Sequence, residues 1–158
     1  MSEQCAYHEA GHAVRAHVLG AKVHMISIDP EWDDEHLRQD GVIEVHWPAG
    51  LNPKSMATSG IEVALAGPAA EMVHIQAPYH PAFVKAWSVD WQTAWSLAES
   101  AHADKTPRMR ALERTTRDLY QWFSNDTIWQ AVASLVDELL AHEHLESEEV
   151  HDILGSWL

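Results

Sequence analysis

His8 and His12 stand four residues apart in a segment, Ser2 to Gly20, whose Ala6, Ala10, Ala13, Val14 and Val18 recur at near-helical spacing. Ser2 is a candidate N-cap and Gly20 a candidate stop, so the pattern predicts one amphipathic helix. Residues four apart on a helix share a face, and two imidazoles placed this way can hold one metal ion between them. Glu9 cannot easily join them as a third ligand, but it can reach a water beside such an ion, which is the position of a general base. In that chemistry the metal acidifies the water, the carboxylate takes its proton, and the hydroxide attacks a carbonyl polarised by the same metal. Gly11, a helix-weakening residue between the two histidines, points to close approach by another backbone or a substrate. Arg15 stands where the longer three-histidine pattern needs glycine, so a third ligand has to come from elsewhere in the chain.

Composition narrows the setting. A chain of 158 residues, 46% hydrophobic and 22% charged, has the size and balance of one globular domain with its own core. A formal charge of -14, from 24 acidic against 10 basic side chains, argues against nucleic acid and anionic membrane surfaces as partners. Cys5 is the only cysteine, which rules out an intramolecular disulfide and a cysteine-based structural zinc site. The longest apolar-leaning stretch, Gly60 to Ile75, is interrupted by Glu62, Glu71 and His74, so no membrane insertion and a soluble chain are expected. The candidate site begins within seven residues of position 1, which leaves no room ahead of it for a signal peptide, and a cytoplasmic location is the expectation. Self-association stays open.

Alternating patterns over Lys22–Ile28 and Gly41–Trp47 predict a strand pair, and the stretch between them, Asp29 to Asp40, carries six acids and reads as an exposed acidic loop. Asn52-Pro53 predicts a helix start, followed by a helix that Pro68 should kink or break. Gln76 to Trp87 reads as a loop. Ser88 should cap a helix reaching about Ala103, Thr106-Pro107 should begin one to Phe123, Asn125 or Asp126 one to His142, and Ser147 a short last one ending before Gly155. The expected fold is mainly α, a single domain over residues 1–158 with a small β-hairpin or strand pair after the first helix.

Ala6-Tyr7-His8-Glu9-Ala10-Gly11-His12-Ala13-Val14 closely resembles the active-site helix of the FtsH (M41) family of zinc proteases. Val63 to Glu71 resembles that family's Leu-Ala-Gly-x-Ala-Ala-Glu helix, Ser88-Val89-Asp90-Trp91-Gln92-Thr93-Ala94 its Asn-Asp-x-x-x-Ala segment, and Trp129 to Leu154 its C-terminal helices. The resemblance covers nearly the whole chain. It implies a helical protease domain with Zn2+ held by His8, His12 and Asp90 and with Glu9 as the catalytic carboxylate. It also implies that the strands after the first helix border the cleft and can pair with an extended substrate. The chain departs from the family in having no G-x-x-x-x-G-K-[ST] phosphate loop, no ATPase module and no transmembrane anchor, and in an acidic stretch longer than the family's short turn. Proteolysis would then proceed without ATP-driven unfolding unless a separate chain supplies it.

Each singled-out residue also has a plainer reading. An acid in the first turn of a helix, as at Asp90, is accounted for by the helix dipole alone. Glu71, on a helix rich in small residues, can hydrogen-bond to a zinc-bound histidine, ligate directly, or be an ordinary surface acid. Cys5 shares a helical face with His8, and packing or exposure accounts for it more simply than metal contact. Trp87, Trp91 and Trp95 form a stripe at helical spacing that reads as packing surface before substrate groove. The other histidines have no ligand spacing that demands a site, and Glu143 to Glu149 reads as a solvated turn and helix start. The leading expectation is an ATP-independent zinc metallopeptidase acting on peptides or unfolded protein segments. The alternatives are a catalytically idle metal-binding interaction or regulatory module derived from such a protease, and a different metal-dependent amide hydrolase on the same scaffold.

Overall fold

A computed structural model describes residues 2–29 and 41–158, so the expected acidic loop lies, apart from Asp29, outside the described residues. Six helices occur among them: α1 (Ser2–Val18), α2 (Pro53–Ile75), α3 (Ser88–Ala98), α4 (Lys105–Phe123), α5 (Asp126–His142) and α6 (Ser147–Gly155). They accompany three short strands, β1 (Lys22–Ser27), β2 (Val42–His46) and β3 (His144–Glu146), and the chain is mainly α with a small antiparallel sheet. Among the described residues no helix is long and apolar enough to cross a membrane.

Local chemistry explains most of the boundaries. Asn52 Oδ1 accepts from Ser55 N at 2.8 Å and Pro53 is the first helical residue of α2. Asn125 Oδ1 accepts from the backbone N–H groups of Thr127 and Ile128 to start α5, which ends on Glu143 in the left-handed region at φ 62°. Glu146 and Glu149 form a reciprocal capping box at the start of α6.

Four expectations are corrected. Of the kink or break expected at Pro68, the break does not occur: α2 is a single helix of 23 residues. Buried Ala64 to Ala70 pack its middle into the core, and that packing offsets the hydrogen bond proline cannot make. Ser88 is the first helical residue of α3 and not its cap, and α3 stops at Ala98, short of Ala103. The carbonyls of His102 and Ala103 accept instead from the Arg108 guanidinium at 2.9 and 2.7 Å, which fixes the α3–α4 turn. The segment Glu143 to Glu149 is not merely solvated: β3 pairs with β1 through Met25↔Glu146, Ile26↔Leu145 and Ser27↔His144, and Leu145 is fully buried. The sheet order is β2-β1-β3, so both edges of β1 are taken over Met25–Ser27 and only the outer strands have an edge there to offer.

The core forms where α1 meets α2 and α5, with Ala6, Ala10, Ala13 and Val14 against Leu65, Ala66, Ala69, Leu135 and Leu139. The close approach expected at Gly11 is that of α2: a Cβ at Gly11 would stand 2.6 Å from both the Ala66 carbonyl oxygen and Ala70 Cβ. Trp87 and Trp91 are buried, and the Arg108 guanidinium lies 4.6 Å from the Trp95 ring centre.

Candidate metal centre

α1 presents His8 and His12 one turn apart, with ring centres 4.7 Å apart and ring planes nearly perpendicular at 82°. Asp90, in the first turn of α3, brings Oδ2 to 2.7 Å from His8 Nε2 and 3.5 Å from His12 Nε2. α2 packs against both α1 and α3 and is the template that holds them in register. It also supplies the outer partner of each imidazole. His8 Nδ1 donates to Glu71 Oε2 at 2.6 Å, and His12 Nδ1 donates to the Val63 carbonyl at 2.6 Å. A carbonyl can only accept, so His12 carries a proton on Nδ1, and its Nε2 faces Asp90.

The donor set fits a small divalent cation. One donor atom from each of His8, His12 and Asp90 can be chosen so that all lie within 4.8 Å of one another, and among the described residues this is the one such group of three or more His, Cys, Asp or Glu side chains. Tetrahedral zinc at about 2.0–2.1 Å from nitrogen and carboxylate oxygen places its ligand atoms roughly 3.4 Å apart; the His12–Asp90 separation of 3.5 Å matches this, whereas His8 Nε2 and Asp90 Oδ2, at the 2.7 Å of a hydrogen bond, would have to part by about 0.7 Å to share an ion. Burial opposes a charge on His8, yet hydrogen bonds to Asp90 and Glu71, with the Glu9 charge, outweigh it and push the imidazole up to about 10. Burial likewise opposes a charge on Asp90, and hydrogen bonds to His12 and His8 overcome it, holding the carboxyl well below the usual carboxylate range. The cluster thus demands positive charge at its centre. A proton on His8 Nε2 supplies it in the metal-free protein, and a cation shared by both Nε2 atoms would supply it more fully.

Glu9 is buried at 5% exposure and close enough for its charge to act on His8. Glu71 lies on the Nδ1 side of His8, outside the donor group, which is the geometry of a supporting carboxylate. Cys5 is outside it too, partly buried, with its sulfur 3.0 Å from where a Cβ on Gly41 would stand. Trp87 is the residue that sequence reasoning missed: its indole Nε1–H donates to the same Glu71 Oε2 that His8 uses. The stripe spacing revealed its burial, but nothing in the sequence signals where its N–H points. The structure also pairs histidines far apart in sequence, His24 stacked on His46 with ring centres 5.0 Å apart and His17 edge-on to His151 at 5.5 Å. Neither pair joins a group of three donors among the described residues.

Taken together, fold and site define a mainly helical chain with a His-His-Asp donor group beside a buried glutamate. No protein-family model matches the chain, and no curated protein matches it.

Proposed function

We propose that the chain is an ATP-independent zinc peptidase that hydrolyses peptide bonds in peptides or unfolded protein segments, related in plan to the FtsH-type proteases its motifs resemble. The observation that carries this reading is the convergence of His8 Nε2, His12 Nε2 and Asp90 Oδ2 from two helices, next to Glu9. His8, His12 and Asp90 would hold Zn2+, which when bound supplies Lewis-acid polarisation of the scissile carbonyl and acidification of the attacking water. Glu9 would be the proton carrier, its carboxylate accepting a proton from the attacking water and passing it to the amide nitrogen as the C–N bond breaks. Glu71 and the Val63 carbonyl hold the two imidazoles by their Nδ1 protons, keeping the donor nitrogens aimed at one point.

A second reading, a catalytically idle metal-binding module, draws support from the burial of Glu9, whose carboxylate has little contact with solvent. Metal analysis combined with a broad peptide-cleavage screen, with zinc and after chelation, separates the two. The peptidase reading expects about one zinc per chain and cleavage that chelation abolishes and zinc restores. Zinc uptake with no cleavage of any peptide would favour the idle module, and no zinc uptake at all would sink both.

A further inference from the structure

Gly67 lies in the middle of α2 among the fully buried Ala66, Ala69 and Ala70 and is followed directly by Pro68. Glycine and proline are the two poorest helix formers, so placing both at the buried centre of the longest helix works against its local stability. Alanine serves at the neighbouring buried positions, and a specific contact must exclude it at 67. A Cβ built there would fall against His12 Nε2, 2.6 Å from His12 Cε1 and 2.8 Å from His8 Nε2. All three of these nearest atoms belong to the candidate ligand rings, and two are the donor nitrogens. The other helix glycines differ. Gly11 is closed off by the backbone and Cβ of α2, Gly60 meets only the end of the Leu97 side chain, and Gly155, at the end of α6, faces open space.

We propose that Gly67 is a determinant of the metal centre, the bare wall against which both imidazoles present Nε2 to a shared cation. The rings cannot simply swing aside for a larger residue, because each is tied by Nδ1 to α2 itself, at Glu71 and at Val63. A methyl group at position 67 would displace the two donor nitrogens or occupy the space between them. The inference rests on the assignment of His8, His12 and Asp90 as ligands.

The test compares zinc affinity of wild type and Gly67→Ala by chelator competition, with thermal melts of the metal-free proteins. Gly67→Ala should bind zinc at least ~100-fold more weakly, the upper end of what loss of a supporting group costs. Binding within a few-fold of wild type overturns the proposal. Wild type that takes up no zinc would instead remove the ligand assignment, and the role of Gly67 with it. Melts of the same substitution in a His8→Ala/His12→Ala background separate a role at the site from helix packing. With the rings gone, Gly67→Ala should leave the Tm unchanged or raise it, alanine being the better helix former, whereas with the rings present it should lower the Tm. This comparison decides even where the single variant fails to fold. An equal fall in both backgrounds would mean that packing alone excludes the side chain, and would overturn the proposal.

Discussion

His8 Nδ1 lies 2.6 Å from Glu71 Oε2, a contact that spans 63 residues of chain and ties the first helix to the second at the candidate site. Because Trp87 donates to the same carboxylate oxygen, one side chain of α2 is gripped both by α1 and by the turn that leads into Asp90. Orientation of a ligand imidazole is thereby coupled to placement of the ligand carboxylate.

That coupling separates ligands from supports. Asp90→Ala should weaken zinc binding sharply, whereas Glu71→Ala should cost roughly 10-fold to 100-fold and leave a recognisable site. Trp87→Phe keeps a buried ring and removes only the N–H, so its loss should be smaller, and in a double variant with Glu71→Ala it should be largely absent, because the acceptor is already gone. Affinities measured side by side decide. If Asp90→Ala binds as tightly as wild type while Glu71→Ala binds none, the ligand set is His8, His12 and Glu71.

Glu9→Gln should retain zinc and lose hydrolysis by about 100-fold or more, the lower end of what a general base contributes, since the amide cannot take a proton. Turnover of a cleaved peptide at the wild-type rate, with zinc content unchanged, would remove Glu9 from the chemistry.

In the metal-free protein the His8 pair should make stability depend on pH in a definite direction. Its folded pKa is raised from 6.5 to about 10, so its contribution is full below pH 6.5 and is lost as pH rises through about 10. Tyr7, pushed up by burial and by the nearby Glu3 and Asp137 charges, acts in the same sense above pH 10. Thermal melts of wild type and His8→Ala in chelator should therefore converge with rising pH between these limits. Curves that stay parallel from pH 6.5 to 10 would show that the pair contributes nothing.

Leu145 tests the third strand. It is fully buried and pairs opposite Ile26, so Leu145→Ala should destabilise the fold by about 2–5 kcal/mol in denaturant unfolding. A change below about 0.5 kcal/mol, the range of surface substitutions, would return the segment to a solvated turn.

The short-range features were written in the residues themselves. Apolar spacing marked α1, Asn52-Pro53 and Asn125 marked two helix starts, alternation marked β1 and β2, and the four-residue interval set His8 and His12 on one face. Each of these signals acts within a turn or two of chain, where backbone geometry alone relates the residues. Other features depend on which element lies against which. Three-residue β3 has too few positions for a period and exists because β1 offers it an edge. The turn between α3 and α4 is held by an arginine in α4. Asp90 was singled out only through a motif resemblance, Glu71 kept three alternative readings, and the direction of the Trp87 N–H and the steric demand at Gly67 were not legible at all, because their meaning arises when α2 packs between α1 and α3. Contacts across 60 or more residues are fixed by packing of whole elements, and no local pattern encodes the direction in which a carboxylate or an indole N–H will finally point.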